Sequence, residues 1–188
     1  MIISVFADAS YDAPTHCGAW GVYIRSSLHH WKGSGVLQRG GDGQLKDNIE
    51  AEMQAAAVGI WQALKVAAPG DKLLVQTDCL AAIQHFDGKV ERPDEVYDRI
   101  VVKVLGWLDK AKVTVEWRHV RGHNVGDGTP RSWVNGWCDR AAREAMREAR
   151  DKGRQRQNGK GERDGKGRDI ETCTTQDGGQ VAGTVGQE

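Results

Sequence analysis

The sequence is poor in cysteine, and its cysteines are far apart. Four occur among 188 residues, at Cys17, Cys79, Cys138 and Cys173. None forms a CxxC pair, and no combination has the ligand spacing of a zinc site. Because disulfides are rare in the cytosol, we expect ordinary reduced thiols and no structural zinc.

Long hydrophobic runs are absent as well. No stretch approaches the roughly 20 apolar residues that are needed to cross a bilayer. The N-terminus lacks the basic segment, the apolar segment and the small-residue cleavage site of a secretory signal. These absences predict a soluble, cytoplasmic protein that does not associate with membranes, and a monomer is the default expectation.

An excess of charge of either sign is also missing. The chain has 26 Lys and Arg residues and 26 Asp and Glu residues, so its formal net charge is zero. A global electrostatic field therefore does not attract the whole protein to nucleic acid or to a membrane surface. One segment differs, because residues 152–168 carry seven basic and two acidic residues, which gives a local charge of +5.

Large apolar residues are scarce near the C-terminus. From residue 151 to residue 188 the chain has no Trp, Tyr, Phe or Leu and is rich in Gly, Gln and charged residues. Such a segment cannot bury enough apolar surface to offset the entropy that ordering costs. We therefore predict one globular domain over 1–150 and a disordered tail over 151–188.

The first 150 residues contain two hydrophobic periods. Short apolar runs and runs that alternate apolar and polar residues predict strands, and apolar residues at helical spacing predict helices. The predicted strands cover 2–7, 18–26, 29–37, 72–77 and 112–120, and the predicted helices cover 47–66, 79–86, 93–109 and 132–150. This order indicates an α/β fold with a mixed five-stranded sheet, an antiparallel meander plus two parallel strands, and helices on both faces.

Acidic residues end two of the predicted strands. Asp8 follows IISVFA, and Asp78 follows KLLVQT. If these strands are parallel neighbours, the two carboxylates lie side by side at one edge of the sheet, where ligands bind in open α/β folds. Glu52 in the first turns of its helix can point toward strand ends, and Asp139 shares one face of the last helix with Asn135.

These four acids would repel each other if they converged, and some would stay protonated unless they shared a cation. Oxygen ligands of this kind suit Mg²⁺ or Mn²⁺ better than zinc. Two such ions about 4 Å apart stabilise the attacking and leaving oxygens of a phosphoryl transfer. The acids therefore indicate metal-dependent phosphodiester chemistry if the fold brings them together.

Each acid also has an ordinary structural interpretation. Asp8 can be a turn residue after a strand, and Asp78 can be the N-cap of the helix that follows it. Glu52 can face solvent, as most helical glutamates do. Asp139 can form an ion pair with Arg143 on the next turn of its helix.

Taken together, the motifs resemble those of type 1 ribonucleases H. The matching segments are the strand end FADAS, the helix EMQAAAVGIWQAL, TDC before a helix, VEWRHVRGH, and VNGWCDRAAREA. The resemblance extends over about residues 1–149, and the pairing of V-x-G-H with a downstream N-x-x-C-D-x-x-A is its most specific part. It implies a ribonuclease H-like fold for this part of the chain.

The resemblance also implies an activity and its cofactor. A metal-dependent endonuclease is expected, which hydrolyses the RNA strand of RNA–DNA hybrids to 5′-phosphate and 3′-hydroxyl ends. Two Mg²⁺ ions, with Mn²⁺ as a possible substitute, would be held by Asp8, Glu52, Asp78 and Asp139. Glu50 is a rival of Glu52, and the AAAV run after EMQ favours Glu52.

Further residues follow from the same resemblance. His123 in RGH resembles the family's loop histidine, which assists proton transfer or product release, whereas His119 is predicted to be structural. Asn135 resembles the family's Asn beside the nucleophilic water. The candidate substrate contacts are Ser10, Asn48, Gln54 and Asn135.

Three segments depart from the family pattern. SYDAPTHCGAW, after the first strand, has little glycine, and DNIEAE has Ile49 where a second polar residue often contacts the sugar edge. DGKVERPDEVY, between the second and third helices, is short and acidic where many members carry a Trp- and Lys-rich handle that grips the DNA strand. Phosphate affinity must then come from elsewhere, and the basic run 152–168 is a candidate. A tail that only aids solubility is the alternative.

Other functions stay open at this point. Junction resolvases, exonucleases and integrase-like enzymes of the same fold use similar acidic clusters. A non-catalytic hybrid-binding module is a further alternative, although the presence of all four acids argues against it.

Overall fold

A computed structural model describes residues 1–37, 44–121 and 129–160, with the backbone alone for 152–160. The chain divides into two units, Met1–Gly153 and Arg154–Glu188. The strands are β1 (Ile2–Asp12), β2 (Cys17–Arg25), β3 (His30–Val36), β4 (Lys72–Thr77) and β5 (Thr114–His119). The helices are α1 (Asn48–Leu64), α2 (Leu80–Phe86), α3 (Glu95–Ala111) and α4 (Pro130–Lys160).

The five strands form one mixed sheet in the order β3-β2-β1-β4-β5. The pairs β1–β2 and β2–β3 are antiparallel, and the pairs β1–β4 and β4–β5 are parallel. The predicted fold class, a meander joined to two parallel strands, is therefore confirmed.

One face of the sheet packs on α1 and α3. The inward side chains of β1 are Ile3, Val5 and Ala7, which alternate with outward ones as the two-residue period of a strand requires. At Gly59 of α1 an added Cβ would lie 2.7 Å from Val5 Cγ1. Glycine therefore lets α1 approach the sheet closely at this point.

The opposite face of the sheet packs on α4. Phe6 and Tyr23 join Val134 and Cys138 in a second apolar cluster. An added Cβ at Gly21 would lie 2.2 Å from the Cys138 carbonyl oxygen, so the absence of a side chain at this position lets α4 cross β2 closely. Helices thus cover both faces of the sheet, as predicted.

The first strand is longer than the sequence pattern indicates. Its parallel pairing with β4 stops at Phe6–Gln76, but its antiparallel pairing with β2 continues to Asp12–Cys17. The expectation that the strand ends at Asp8 is therefore wrong, because a second partner carries β1 onward. Asp8 lies within a strand and beyond the end of the parallel ladder.

Helix boundaries also differ from prediction, mostly by one or two residues and by ten at the end of α4. α3 begins at Glu95 rather than at residue 93, because the Asp94 side chain caps it by accepting a hydrogen bond from the Val96 N–H. α4 continues to Lys160, so the predicted tail begins with helix rather than disorder over 151–160. Lys, Arg and Gln in that segment favour helix even where no apolar period marks it. Residues 161–188 lie outside the described residues.

Within the described ranges, no helix combines the length and apolar character needed to span a bilayer.

Candidate active site

Asp8 and Asp78 extend from neighbouring strands toward one cavity. Asp8 lies opposite Gly21 of β2, and Asp78 follows the last residue of β4. The Ala9 N–H donates to Asp8 Oδ1 at 3.0 Å. His119 Nε2 donates to the Asp78 carbonyl oxygen at 3.0 Å. The first hydrogen bond orients the Asp8 carboxylate, and the second fixes the backbone of Asp78.

The N-cap of α2 is Cys79, which makes no side-chain capping hydrogen bond. The interpretation of Asp78 as that N-cap is therefore wrong. Instead its carboxylate is one of the groups that line the cavity beside β1.

The start of α1 decides between Glu50 and Glu52. Glu50 Oε2 accepts from the Lys46 N–H at 2.6 Å, and Glu50 Oε1 accepts from Gln54 Nε2 at 2.8 Å. Asp47 caps the same turn by accepting from the Glu50 N–H at 3.0 Å. Both oxygens of Glu50 are thus occupied at the start of α1, one by the N–H before the N-cap and the other by Gln54 on the next turn. Glu52, two residues later, points to the strand ends instead.

Three carboxylates meet in this cavity. One oxygen from each of Asp8, Glu52 and Asp78 lies within 4.8 Å of the other two. Asp8 and Glu52 are each only 5 % exposed. The buried Glu52 Oε2 atom accepts no hydrogen bond from any described residue. Such a concentration of buried negative charge is unfavourable without a cation.

The electrostatics of the cluster show this cost. Burial raises the pKa of Asp8 to about 7, and the nearby charges of Asp78 and Asp139 add to the rise. Burial also raises the pKa of Glu52 well above its ordinary value, and Asp8 is its strongest charged neighbour. At neutral pH the cluster therefore retains protons that a divalent cation would displace.

Asp139 lies beside the three-carboxylate cluster. It lines the same cavity, and its Oδ1 pairs with Arg143 Nε at 2.7 Å on the next turn of α4. Its charge raises the pKa of Asp8, whereas that of Arg143 lowers it. The fourth predicted acid therefore belongs to the site and also forms the ion pair that was its structural interpretation.

The donor set fits a hard divalent cation. The cluster offers carboxylate oxygens only, and one of them is buried without a partner. Mg²⁺ and Mn²⁺ prefer oxygen ligands of this kind. The fold therefore brings Asp8, Glu52 and Asp78 together, which the sequence analysis could state only as a condition for metal binding.

A comparison with family profiles identifies the group to which this sequence belongs. The profile described as RNase H matches residues 2–147, which include all four acids. The chain belongs to the RNase H family. A comparison with curated protein sequences gave no significant match.

Solved structures of RNase H domains have the same fold. The N-terminal RNase H domain of Rv2228c from Mycobacterium tuberculosis is 17 % identical with a TM-score of 0.61, over 81 % of this chain and 98 % of that one. RNase H1 of Halobacterium salinarum is 16 % identical with a TM-score of 0.61, over 79 % and 99 %. LC11-RNase H1, isolated from compost and solved with an RNA/DNA hybrid, is 13 % identical with a TM-score of 0.63, over 78 % and 98 %. At such identities the likeness shows the fold alone.

The remaining predicted site residues of this RNase H domain do not all lie at the acidic cavity. Ser10 and Asn48 line the cavity of the acids. Gln54 binds Glu50 and does not line that cavity. Asn135 is buried and lines a different cavity, and His123 lies outside the described residues.

Cys79 and Arg143 line the cavity without having been predicted as site residues. The sequence placed Arg143 only as the structural partner of Asp139, and that ion pair is present at the edge of the site. Cys79 lies next to Asp78 and was expected only as an ordinary thiol. Burial raises the pKa of the Cys79 thiol, so the chain keeps that side chain neutral.

Proposed function

We propose that this chain is a metal-dependent endonuclease that hydrolyses the RNA strand of RNA–DNA hybrids and leaves 5′-phosphate and 3′-hydroxyl ends. The single observation that carries the proposal is the meeting of Asp8, Glu52 and Asp78 within 4.8 Å in a chain of the RNase H family. The hybrid bound to LC11-RNase H1 supports the choice of substrate.

Asp8, Glu52 and Asp78 would hold Mg²⁺ or Mn²⁺, and we propose two ions per site with Asp139 beside them. When bound, the ions supply positive charge that stabilises the attacking and leaving oxygens of an in-line displacement. The protein supplies position. Buried Asp8 and Glu52 form the floor of the site, and His119 fixes the backbone of Asp78.

Substrate contacts are proposed at the rim of the same cavity. Asn48 is the first residue of α1 and is exposed, and Ser10 is half-buried in β1. Both side chains can hydrogen-bond to a sugar or a phosphate, and reading 2′-hydroxyls is what separates RNA from DNA. On the family resemblance, His123 would assist proton transfer or product release.

Binding of the substrate backbone needs cations outside the cavity. Eight residues, 87–94, separate α2 from α3, which leaves little room for a basic handle. Residues 152–160 of α4 carry four basic residues and no acidic ones, and so hold four of the five net positive charges of the run 152–168. We propose that this helical segment supplies phosphate affinity.

The test is cleavage of four end-labelled substrates by the purified chain: RNA–DNA hybrid, duplex DNA, duplex RNA and a four-way junction. Mg²⁺ should support cleavage of the RNA strand in the hybrid alone, and EDTA should abolish it. Analysis of the product ends should show 5′-phosphates. Cleavage of the junction or of duplex DNA in preference to the hybrid would contradict the proposal, and hybrid binding without any cleavage would indicate a non-catalytic module.

A further inference from the structure

A second cavity lies on the α4 face of the sheet, apart from the carboxylates. Its volume is about 750 Å³, and it is bounded by β1, β2, β4 and the start of α4. It shares no lining residue with the acidic cavity among the described residues. The RNase H activity proposed above uses only two of the side chains on its walls, His119, which holds the backbone of Asp78, and Asn135, whose assignment rested on resemblance.

Two buried amide side chains line this second cavity. Gln76 is 2 % exposed and Asn135 is 5 % exposed. Gln76 Oε1 and Asn135 Oδ1 accept no hydrogen bond from any described residue. Buried carbonyl oxygens without a donor are unfavourable, and native proteins pair nearly all of them. The cavity therefore calls for a ligand that donates N–H or O–H groups.

The charge of the second cavity is the opposite of that of the active site. Three exposed arginines line it, Arg25, Arg121 and Arg131, together with His119. None of its described lining residues is acidic. Guanidinium groups bind phosphate through paired hydrogen bonds. The rim of the cavity thus favours an anionic group, whereas the interior favours a neutral donor.

The remaining walls are apolar and partly aromatic. Phe6 and Tyr23 stand edge to face with ring centroids 6.5 Å apart, and both line the cavity. A flat apolar ring packs well against such walls. The volume lies within the range of small-molecule sites. An aromatic ring with amino donors, attached to a phosphate, satisfies the interior, the walls and the rim together.

We propose that the second cavity binds one nucleotide whose base carries an exocyclic amino group. The amino group donates to Gln76 Oε1 and Asn135 Oδ1, the base packs against Phe6 and Tyr23, and the phosphate binds the arginines at the rim. Uracil presents carbonyl oxygens on both sides of its single ring N–H. It therefore sets acceptor against acceptor in this cavity and binds less well.

The test is calorimetric titration of the full chain with AMP, UMP and inorganic phosphate in EDTA, so that metal at the carboxylates contributes nothing. AMP should bind at least about tenfold more tightly than UMP or phosphate. Gln76→Leu, which keeps the side-chain size, and Arg25→Ala at the rim should each weaken AMP binding at least about tenfold. Arg99→Ala, exposed on α3, is the matched control and should change nothing.

A further titration separates a free nucleotide from one within a strand. A short 5′-phosphorylated oligoadenylate replaces AMP in this titration. If the oligonucleotide binds where AMP does not, and if Gln76→Leu abolishes that binding, the cavity holds a nucleotide that is part of a strand. Binding of AMP that is unchanged in Gln76→Leu, or equal for AMP and UMP, would overturn the proposal. The absence of Gln76-dependent binding of both AMP and the oligoadenylate at about 5 mM would also overturn it. In that case a rise in the melting temperature of Gln76→Leu would show that only water pairs with the amides of Gln76 and Asn135.

Discussion

Asp8 and Asp78 each lie two residues beyond Phe6 and Gln76, the last pair of the parallel β1–β4 ladder. Adjacent parallel strands thus deliver two carboxylates to the same level at the edge of the sheet. β1 continues past this level because β2 pairs with it, so Asp8 is fixed by a strand on one side and open to the cavity on the other. Glu52 then completes the cluster from α1.

The cluster predicts how the stability of the metal-free protein depends on pH. Asp8 has a pKa of about 7 when folded and 3.8 as its ordinary value, so the folded state binds the proton more tightly than the unfolded chain does. The free energy of unfolding should therefore fall as the pH rises from about 4 to about 7. Asp8→Asn carries no such proton and should be more stable than the parent at pH 8, by on the order of 1–3 kcal/mol.

Urea denaturation in EDTA at pH 4.5 and at pH 8 measures this difference. Asp109→Asn is the matched control, since the Asp109 side chain is 83 % exposed at the end of α3. If the gain in free energy of unfolding of Asp8→Asn over the parent did not grow from pH 4.5 to pH 8, burial and neighbouring charges would not destabilise the ionised Asp8 carboxylate.

Glu50 and Glu52 should separate stability from catalysis. Glu52→Gln removes a carboxylate from the cluster and should lower hybrid cleavage at least about 100-fold, with little loss of folding free energy. Glu50→Gln weakens the hydrogen bonds to Lys46 and Gln54 and should cost about 0.5–1.5 kcal/mol. Its cleavage rate should stay close to that of the parent. Cleavage kinetics and urea denaturation should be measured on both variants. A large loss of cleavage in Glu50→Gln together with a parental rate in Glu52→Gln would refute the assignment of Glu52 to the site and of Glu50 to the helix start.

The crossing of α4 over β2 predicts a sharp difference between two glycines. Gly21→Ala pushes a Cβ to within 2.2 Å of the Cys138 carbonyl oxygen and should destabilise the protein by about 1–3 kcal/mol. It should also lower hybrid cleavage, because α4 carries Asp139. Gly106→Ala in α3 meets nothing within 4 Å and should stabilise by about 0.5–1 kcal/mol. Thermal denaturation of the two variants tests the packing, and equal effects would contradict it.

The basic end of α4 predicts the salt dependence of substrate binding. A chain that ends after Lys160 keeps the four basic residues of 152–160, and a chain that ends after Asp151 loses them. Hybrid affinity measured from about 50 to 200 mM salt should be similar for the full chain and the longer truncation. The shorter one should bind more weakly and show a smaller slope of log affinity against log salt. Identical slopes for both truncations would leave the segment without a role in binding.

Most of the fold follows from local patterns, but the ends of the elements do not. The short apolar run IISVFA marks a buried strand, and the spacing of apolar residues in EMQAAAVGIWQAL marks a helix, because burial on one face imposes that spacing. The continuation of β1 to Asp12 depends on pairing with Cys17 of β2, which no single segment encodes. Likewise α4 runs on to Lys160, past the apolar period that predicted it.

The acidic residues of the site could be predicted from their positions along the chain. The cavity that a helical side chain faces could not, because it depends on how the helix packs on the sheet. Asp8 and Asp78 follow from the strand-like segments IISVFA and KLLVQT that precede them, and Glu52 follows from its helix. Asn135 and Asp139 share a face of α4, yet they line different cavities. Gln76 looks in the sequence like any polar strand residue, since its burial depends on the packing of α4 over the sheet.

The most direct test of the account is the rate of hybrid cleavage by Asp78→Asn in Mg²⁺, beside the parent chain and the surface control Asp109→Asn. The exchange removes one negative charge from the three-carboxylate cluster while keeping the size of the side chain. We expect Asp78→Asn to be folded and at least about 100-fold slower, and Asp109→Asn to match the parent. Cleavage by Asp78→Asn at the rate of the parent would show that these carboxylates do not hold the catalytic ions.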